Sequence, residues 1–579
     1  MKNLSFLSRH EVFSLEKNRF HSDILPIIDS LFPYISNSVQ LFYDSNDHLI
    51  ENDDSAFVEN SEVFINEIAQ NEDIAIFLNI IKRLLSKCSF LTLGVEYYYI
   101  DRDYRDSYYM HYSEKHTEIS RYCTRVVIFA DDYVGVLNKV RFNNNQYSAL
   151  KENFVGAIVF TPLANRCIGR TLLNPKYFFE KGAAFIRTTL YSVNFKGYQF
   201  NVYAFPFRMQ DTITTTCAEI TIMNILDYYS KGYSNYSYVM PSDIHQIAKQ
   251  EKYDRHIPSG GLSYELISRI LYRAGLAPKF YMSQKIDDKD IRHLISYYIE
   301  SGIPVAIGTS SISNDKNKMG HSIVCIGHGK CNYSLSLISA KRTPNLQCQY
   351  INSADLYNEW IVQDDMSVPY CVFKQIGSDR IERQKGGAEY SKSVDFFETK
   401  KIDCIVAPLY KRMYMDAIRA EDTVLSILDD EMYSPQEYLN NSPVIFRLFL
   451  ASSRHLKTFR ISSIRNNTIC RLYQEIPLSQ FVWVCELYTK NGYANQKAFG
   501  EIILDATYSG PNLLESCLMI NYPNKHLAQF FDEASLFLID DPYEQSMVSK
   551  ESLDFVEFKG PNEFSAYSNL QDKQGFRTN

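Results

Sequence analysis

Apolar residues in this chain are interrupted too often to cross a bilayer. The most apolar helix candidate, IAIFLNIIKRLL from Ile74 to Leu85, is broken by Asn79, Lys82 and Arg83, whereas a membrane span needs about 20 apolar residues. The N-terminal stretch MKNLSFLSRHEVFSLEKNRF has charges where a signal peptide carries its apolar segment. The short elements must therefore bury their apolar faces against one another. A chain of 579 residues exceeds one hydrophobic core, so about two to four domains are expected. Its composition, 45% hydrophobic and 22% charged, is that of a globular protein and not of a disordered one.

The formal net charge of −8 argues against nucleic acid as the main partner. Twelve cysteines stand without a single CxxC pair, and the closest two, Cys325 and Cys331, make no metal set on their own. This usage suits free thiols in a reducing cytoplasm.

Pattern changes divide the chain into four regions. Residues 1–90 read as helical, with apolar periodicity in SEVFINEIAQ and IAIFLNIIKRLL. Residues 91–195 are β-rich and tyrosine-laden: LTLGVEYYYI, RYCTRVVIFA, FVGAIVFTPL and FIRTTLYSVNF. Within them DRDYRDSYYMHYSEKH, Asp101 to His116, reads as the solvated face of a sheet and its loops, with ligand binding (a sugar among the options) as the other reading. Residues 196–390 alternate helices with strands. Helices are expected after Cys217, after Pro241, from Ser263 to a stop at Gly275, and over DIRHLISYYIESG to a stop at Gly302. The strands IPVAIG, HSIVCIG and WIVQD follow. Residues 391–579 open with helical signals, pass to the strands FVWVCELYTKNGY and FGEIILDAT with a hairpin turn expected at Asn491-Gly492, and close in a tail.

Cys217 stands at the edge of an apolar run, after Thr214, Thr215 and Thr216. That is a helix N-terminus, where unpaired N–H groups and the positive dipole end favour a thiolate. A cysteine nucleophile needs a base, and the base needs an orienting acceptor. His321 opens the strand in GHSIVCIGHG and can present its ring to a cleft, while His328, in the following Gly-x-Gly turn, reads as exposed. EWIVQDDMSVPY delivers Asp364 at a strand end, the first choice as orienter, with Asp365 as runner-up because a one-residue slip reverses the face.

Taken in order, these residues resemble the papain-like cysteine peptidase superfamily. The likeness is closest to the bacteriocin-processing peptidase branch and covers about residues 200–375. HSIVCIGHG is similar to its histidine strand, WIVQD to the strand that delivers Asn or Asp, GGLSYELISRIL to its Gly-Leu-Ser/Thr loop and helix, and SGIPVAIG to its Gly-x-Pro strand entry. The resemblance implies an α+β fold: a papain-like domain at 196–390, flanked by the N-terminal helical and β-rich regions and the C-terminal α+β region. It implies Cys217 as nucleophile, His321 as base and Asp364 as orienter, with no metal or organic cofactor. It also implies an oxyanion-hole glutamine. Gln210 is the candidate, seven residues before Cys217 where the family commonly has six. The 43-residue step from His321 to Asp364 is longer than in compact members, so GKCNYSLSLISAKRTPNLQCQYINSADLYN is expected as an inserted hairpin over the cleft.

The implied activity is cleavage of peptide or isopeptide bonds in a protein or peptide substrate through a thioester. Deamidases, transglutaminases and acyltransferases share that chemistry, and a non-catalytic interaction module is the competing class.

Overall fold

The computed structural model describes residues 10–32, 65–66, 68–180, 183–233, 235–251, 262–285, 290–311, 320–329, 338–384, 399–439, 442–463, 467–494, 497–522, 525–529, 537–538 and 556–557. The tail expected after residue 557 and part of the SEVFINEIAQ periodicity lie outside them. The protein mixes helices and strands in an α+β arrangement built on three larger antiparallel or mostly antiparallel sheets. Among the described residues no helix is long and apolar enough to cross a membrane.

The first sheet runs β1 (His10–Glu16), β2 (Phe90–Tyr99), β3 (Cys123–Ala130), β4 (Phe154–Phe160) and β5 (Ile168–Leu173) in chain order, each strand antiparallel to the next. Strand alternation serves two cores. Val126 and Ile128 face the side of helices Phe20–Leu31 and Glu72–Leu85, while Val127 and Phe129 pack with Phe200 and Val202 of a hairpin. Phe77 of the second helix meets Phe160 of β4 edge to face, with ring centroids 5.5 Å apart. Because β1 pairs along β2, residues before 90 and residues 91–195 share one sheet, and the boundary expected at 90 does not divide them.

Two further corrections belong here. Asp101 to His116 is not a solvated sheet face: it forms a helix, Arg102–Met110, with Asp101, Asp103 and Tyr104 buried. Its inward carboxylates are met from far along the chain: Arg208 reaches Asp103 at 2.9 Å and Ser242 donates its hydroxyl to Asp106 at 2.8 Å, while Arg208 and Arg170 also pair with Asp227 at 2.6 and 3.0 Å. The strands Phe481–Tyr488 and Gly500–Asp505 pair antiparallel as expected, but Asn491-Gly492 lies in a short helix, Lys490–Ala494, within a longer connection and not in a tight hairpin turn.

The second sheet begins with β6 (Ala184–Ile186), follows the separate hairpin β7 (Thr189–Phe195) and β8 (Tyr198–Ala204), and continues through β9 (Ala277–Met282), β10 (Val305–Ser311) and β11 (Gly320–Gly329). After β12 (Lys341–Arg342) and β13 (Gln349–Asn352), it resumes with β14 (Glu359–Gln363), β15 (Cys371–Ile376), β16 (Arg380–Arg383) and β17 (Thr399–Leu409). The order β10-β11-β14-β15-β16-β17 closes on itself, because β17 also pairs with β10. A six-stranded antiparallel barrel results, with β6 added beside β11 and β9 beside β17. Gly327 makes one of these additions possible: a Cβ there would collide with the Phe185 carbonyl of β6. The closing strand lies beyond residue 390, so the boundary expected there cuts through a single barrel.

The third sheet joins β12 and β13 to β18 (Val444–Ser452) and β19 (Phe481–Tyr488), then Gly500–Asp505 and Cys517–Tyr522. β13 runs parallel to β18; the hairpin expected over the cleft is thus an edge of the C-terminal sheet. Helix Ile291–Glu300 packs between the barrel and β18.

Candidate active site

Helix Cys217–Gly232 packs against β11 and begins at its cysteine. Thr216 is the N-cap in extended conformation, and Glu219 reaches back to the Thr216 N–H at 2.6 Å and to its hydroxyl, a capping box. The loop before it is held by Asp211, whose Oδ1 accepts from the N–H groups of Ile213, Thr214 and Thr215 at 2.9, 2.8 and 2.7 Å. Tyr112 of the N-terminal region donates to the same carboxylate at 2.9 Å. The three threonines therefore set the approach to Cys217 through backbone geometry, and Cys217 itself is half-buried.

Cys217, His321 and Asp364 are brought together. The Cys217 side chain lies close enough to the His321 ring to favour its protonated form, and the ring's Nε2 lies 2.8 Å from Asp364 Oδ1. With Nε2 on the carboxylate, Nδ1 is the ring nitrogen left for the thiol. His321 opens β11 opposite Thr309 of β10, whose hydroxyl donates to the His321 carbonyl at 3.2 Å. Asp364 follows the last residue of β14 and also accepts from the Met366 N–H at 3.1 Å.

Asp365 sits beside this pair, its Oδ1 3.5 Å from His321 Nε2, and both its oxygens are buried without a hydrogen bond among the described residues. Asp364 takes the shorter contact. Gln210 is half-buried between Met209, whose N–H bonds the Ile168 carbonyl at 3.0 Å, and Asp211. Among the described residues no hydrogen bond joins it to Cys217 or His321.

Sequence reasoning missed two side chains. Lys400 of β17 places Nζ 2.6 Å from Asp364 Oδ2 and is buried, with the Phe373 ring centroid 5.1 Å away. Its signal was parity: Lys400 shares phase with Ile402 and Cys404, the inward residues of the strand, and not with Lys401 and Asp403. Tyr264, the first residue of helix Tyr264–Arg273, lays its ring over Gly308, where any side chain would clash with it. The ring stands close enough to Cys217 that the cysteine's charge adds to the burial raising its hydroxyl pKa.

The electrostatics follow from these contacts. Burial opposes a charge on His321, but the Asp364 carboxylate, which also accepts the ring's hydrogen bond, outweighs it and, with a smaller contribution from Cys217, raises the ring to about 10. Burial also opposes ionisation of Asp364, yet Lys400 and His321 hold it well below the usual carboxylate range. Asp365, by contrast, is pushed up to about 6 by burial, with the Asp364 charge adding to the shift.

His328 is buried, not exposed: its Nδ1 donates to the Gly329 carbonyl at 2.8 Å and its Nε2 meets Glu300 Oε1 at 3.0 Å. No protein-family model matches the chain, and no curated protein matches it in sequence.

Proposed function

We propose that the chain is a cysteine peptidase of the papain-like type, with Cys217 as nucleophile, His321 as general base and then acid, and Asp364 as the group that holds the imidazole. One observation carries the reading: a single buried imidazole, hydrogen-bonded to a buried carboxylate, stands beside a helix-terminal thiol. In this mechanism His321 Nδ1 holds the proton given up by Cys217, and Sγ attacks the substrate carbonyl carbon as the thiolate. The oxyanion forms beside the Cys217 N–H, one of the helix N–H groups without an intrahelical acceptor, and Gln210 is proposed as a second donor. Collapse expels the amine, which takes the proton from His321, and leaves a thioester on Cys217. Water, deprotonated by His321, then attacks the thioester and frees the acid and the thiol.

The substrate in this reading is a peptide or isopeptide bond in a protein or peptide, and no metal or organic cofactor takes part. The described cysteines are all free thiols, which suits the reducing cytoplasm we propose for it. An amine in place of water would make the same thioester a transferase intermediate. The test is acid quenching during exposure to a mixed peptide pool, followed by mass spectrometry of the Cys217 peptide, with and without added hydroxylamine. An acyl adduct on Cys217 that hydroxylamine removes is expected, and Cys217→Ala should abolish both adduct and turnover. Turnover retained by the folded Cys217→Ala variant would overturn the proposal.

A further inference from the structure

Asp364 and Asp365 are adjacent buried carboxyls that both face one imidazole, at 2.8 and 3.5 Å. Neighbouring carboxyls in a common site cannot both ionise freely, so one tends to hold a proton. If Asp364 were the protonated one, it would no longer stabilise the imidazolium that forms when Cys217 gives up its proton. Something must set which carboxyl is charged. The groups around the pair are His321 on β11, Lys400 on β17, Cys371 on β15 and, acting on Asp365, Arg166 at the entry to β5. Lys400 makes an ion pair with Asp364 at Oδ2, the oxygen not used by His321, and among the described residues neither it nor Arg166 forms an ion pair with Asp365.

We infer that Lys400 is a positioning residue that selects Asp364 over Asp365 as the ionised partner of His321, an inference that rests on the peptidase reading above. A lysine is an expensive choice for an inward position of a barrel strand. Buried ion pairs are often no more stabilising than a well-packed apolar replacement, so stability alone does not account for it. Its ammonium instead keeps one carboxylate charged and held against the imidazole. The pKa directions agree: Asp364 is held down chiefly by Lys400 against its burial, while Asp365 is pushed up.

The experiment measures the rate of Cys217 alkylation by iodoacetamide in the full chain as a function of pH, which needs no knowledge of the substrate. In Lys400→Met the acid limb should move up by about one pH unit, making labelling at the foot of the limb about tenfold slower. Lys400→Arg should keep the wild-type limb. Adding Asp365→Asn to Lys400→Met should bring the limb back toward wild type, because the competing carboxyl is gone. This double variant leaves Asp364 as the one carboxyl of the pair, and gives a second reading where Lys400→Met alone does not fold. A purely structural lysine would lower the melting temperature and leave the limb in place. Selective wild-type labelling with an unmoved limb in Lys400→Met, or a double variant whose limb stays displaced, overturns the role of Lys400 and leaves the peptidase reading standing. Wild-type labelling of Cys217 no faster than of the other cysteines overturns the peptidase reading itself.

Discussion

Strand β11 carries a histidine near each end, and the two ends are built for different work. At the far end His328 directs both ring nitrogens at protein acceptors, Gly329 and Glu300, and stacks on Tyr357 with centroids 4.1 Å apart. Glu300 pairs onward with Arg447, Arg447 with Glu486 at 2.8 Å, Glu486 with Arg460 at 2.9 Å and Arg460 with Glu501 at 2.6 Å. This buried chain of charges fastens the barrel to the C-terminal sheet. At the near end His321 gives one nitrogen to Asp364 and turns the ring toward a half-buried thiol. Both histidines have a carboxylate, so the carboxylate does not separate them. What separates them is the second nitrogen: fixed on a carbonyl it makes a strut, and facing a thiol it makes a base.

That contrast breaks most sharply on rate. His321→Ala should reduce thioester formation per folded molecule at least about 10³-fold, as expected when a nucleophile loses its base. His328→Asn should lower stability while the rate per folded molecule stays within about twofold of wild type. A His328 variant that folds normally and loses the rate would erase the distinction.

The next effect is on stability. Arg447→Met leaves Glu300 and Glu486 buried with their strongest partner removed, and denaturant unfolding should show a loss of about 3–5 kcal/mol. The acid limb of Cys217 alkylation should not move. This variant also tests whether the C-terminal sheet is integral to the fold, and it does so without removing residues after 390, which would delete β17 and Lys400 together.

The near end should also show in the pH dependence of folding. His321 is raised to about 10 from its ordinary 6.5, so its proton stabilises the fold fully below pH 6.5 and that contribution is lost as pH rises through about 10. Asp364 is depressed, so its contribution is present above pH 3.8 and fades only in stronger acid. The stability difference between wild type and His321→Ala, followed by urea unfolding, should therefore shrink by up to a few kcal/mol between pH 6.5 and 10. A difference that is flat or grows across that window contradicts the ion-pair description.

Smaller effects sort the two aspartates. Asp364→Ala should slow thioester formation about a hundredfold, within the range for loss of positioned acid–base catalysis. Asp364→Asn should be milder because an amide still orients the ring, and Asp365→Asn milder again. A larger loss at Asp365 would move the orienting role one residue along the chain.

These two ends also show what a sequence displays and what it hides. Cys217, His321 and Asp364 each sit where an element begins or ends, and caps, glycines and strand alternation mark such places locally. Ser263 and Asp290 cap the helices that follow them, and Gly275 and Gly302 sit at positive φ just beyond their ends. Asp103 and Asp106 point to solvent in the sequence because their partners, Arg208 and Ser242, lie more than a hundred residues away. His328 looked exposed for a similar reason: the glycines around it signal a turn, yet Gly327 is there to let β6 pass close to β11. Lys400 was masked by its neighbour, since a Lys-Lys pair reads as a solvated edge unless the phase of Ile402 and Cys404 is followed. Barrel closure itself depends on β17 reaching back to β10 across more than ninety residues, a distance over which no local pattern operates.

The central claim is that the His321 ring makes Cys217 a nucleophile. It is tested most directly by competitive iodoacetamide labelling of the native protein at pH 6, with every cysteine peptide quantified by mass spectrometry, in wild type and in His321→Ala. The account predicts that Cys217 is labelled at least about tenfold faster than any of the other eleven cysteines in wild type, and that this advantage disappears in His321→Ala. Uniform slow labelling, or a Cys217 advantage that survives the loss of His321, would contradict it.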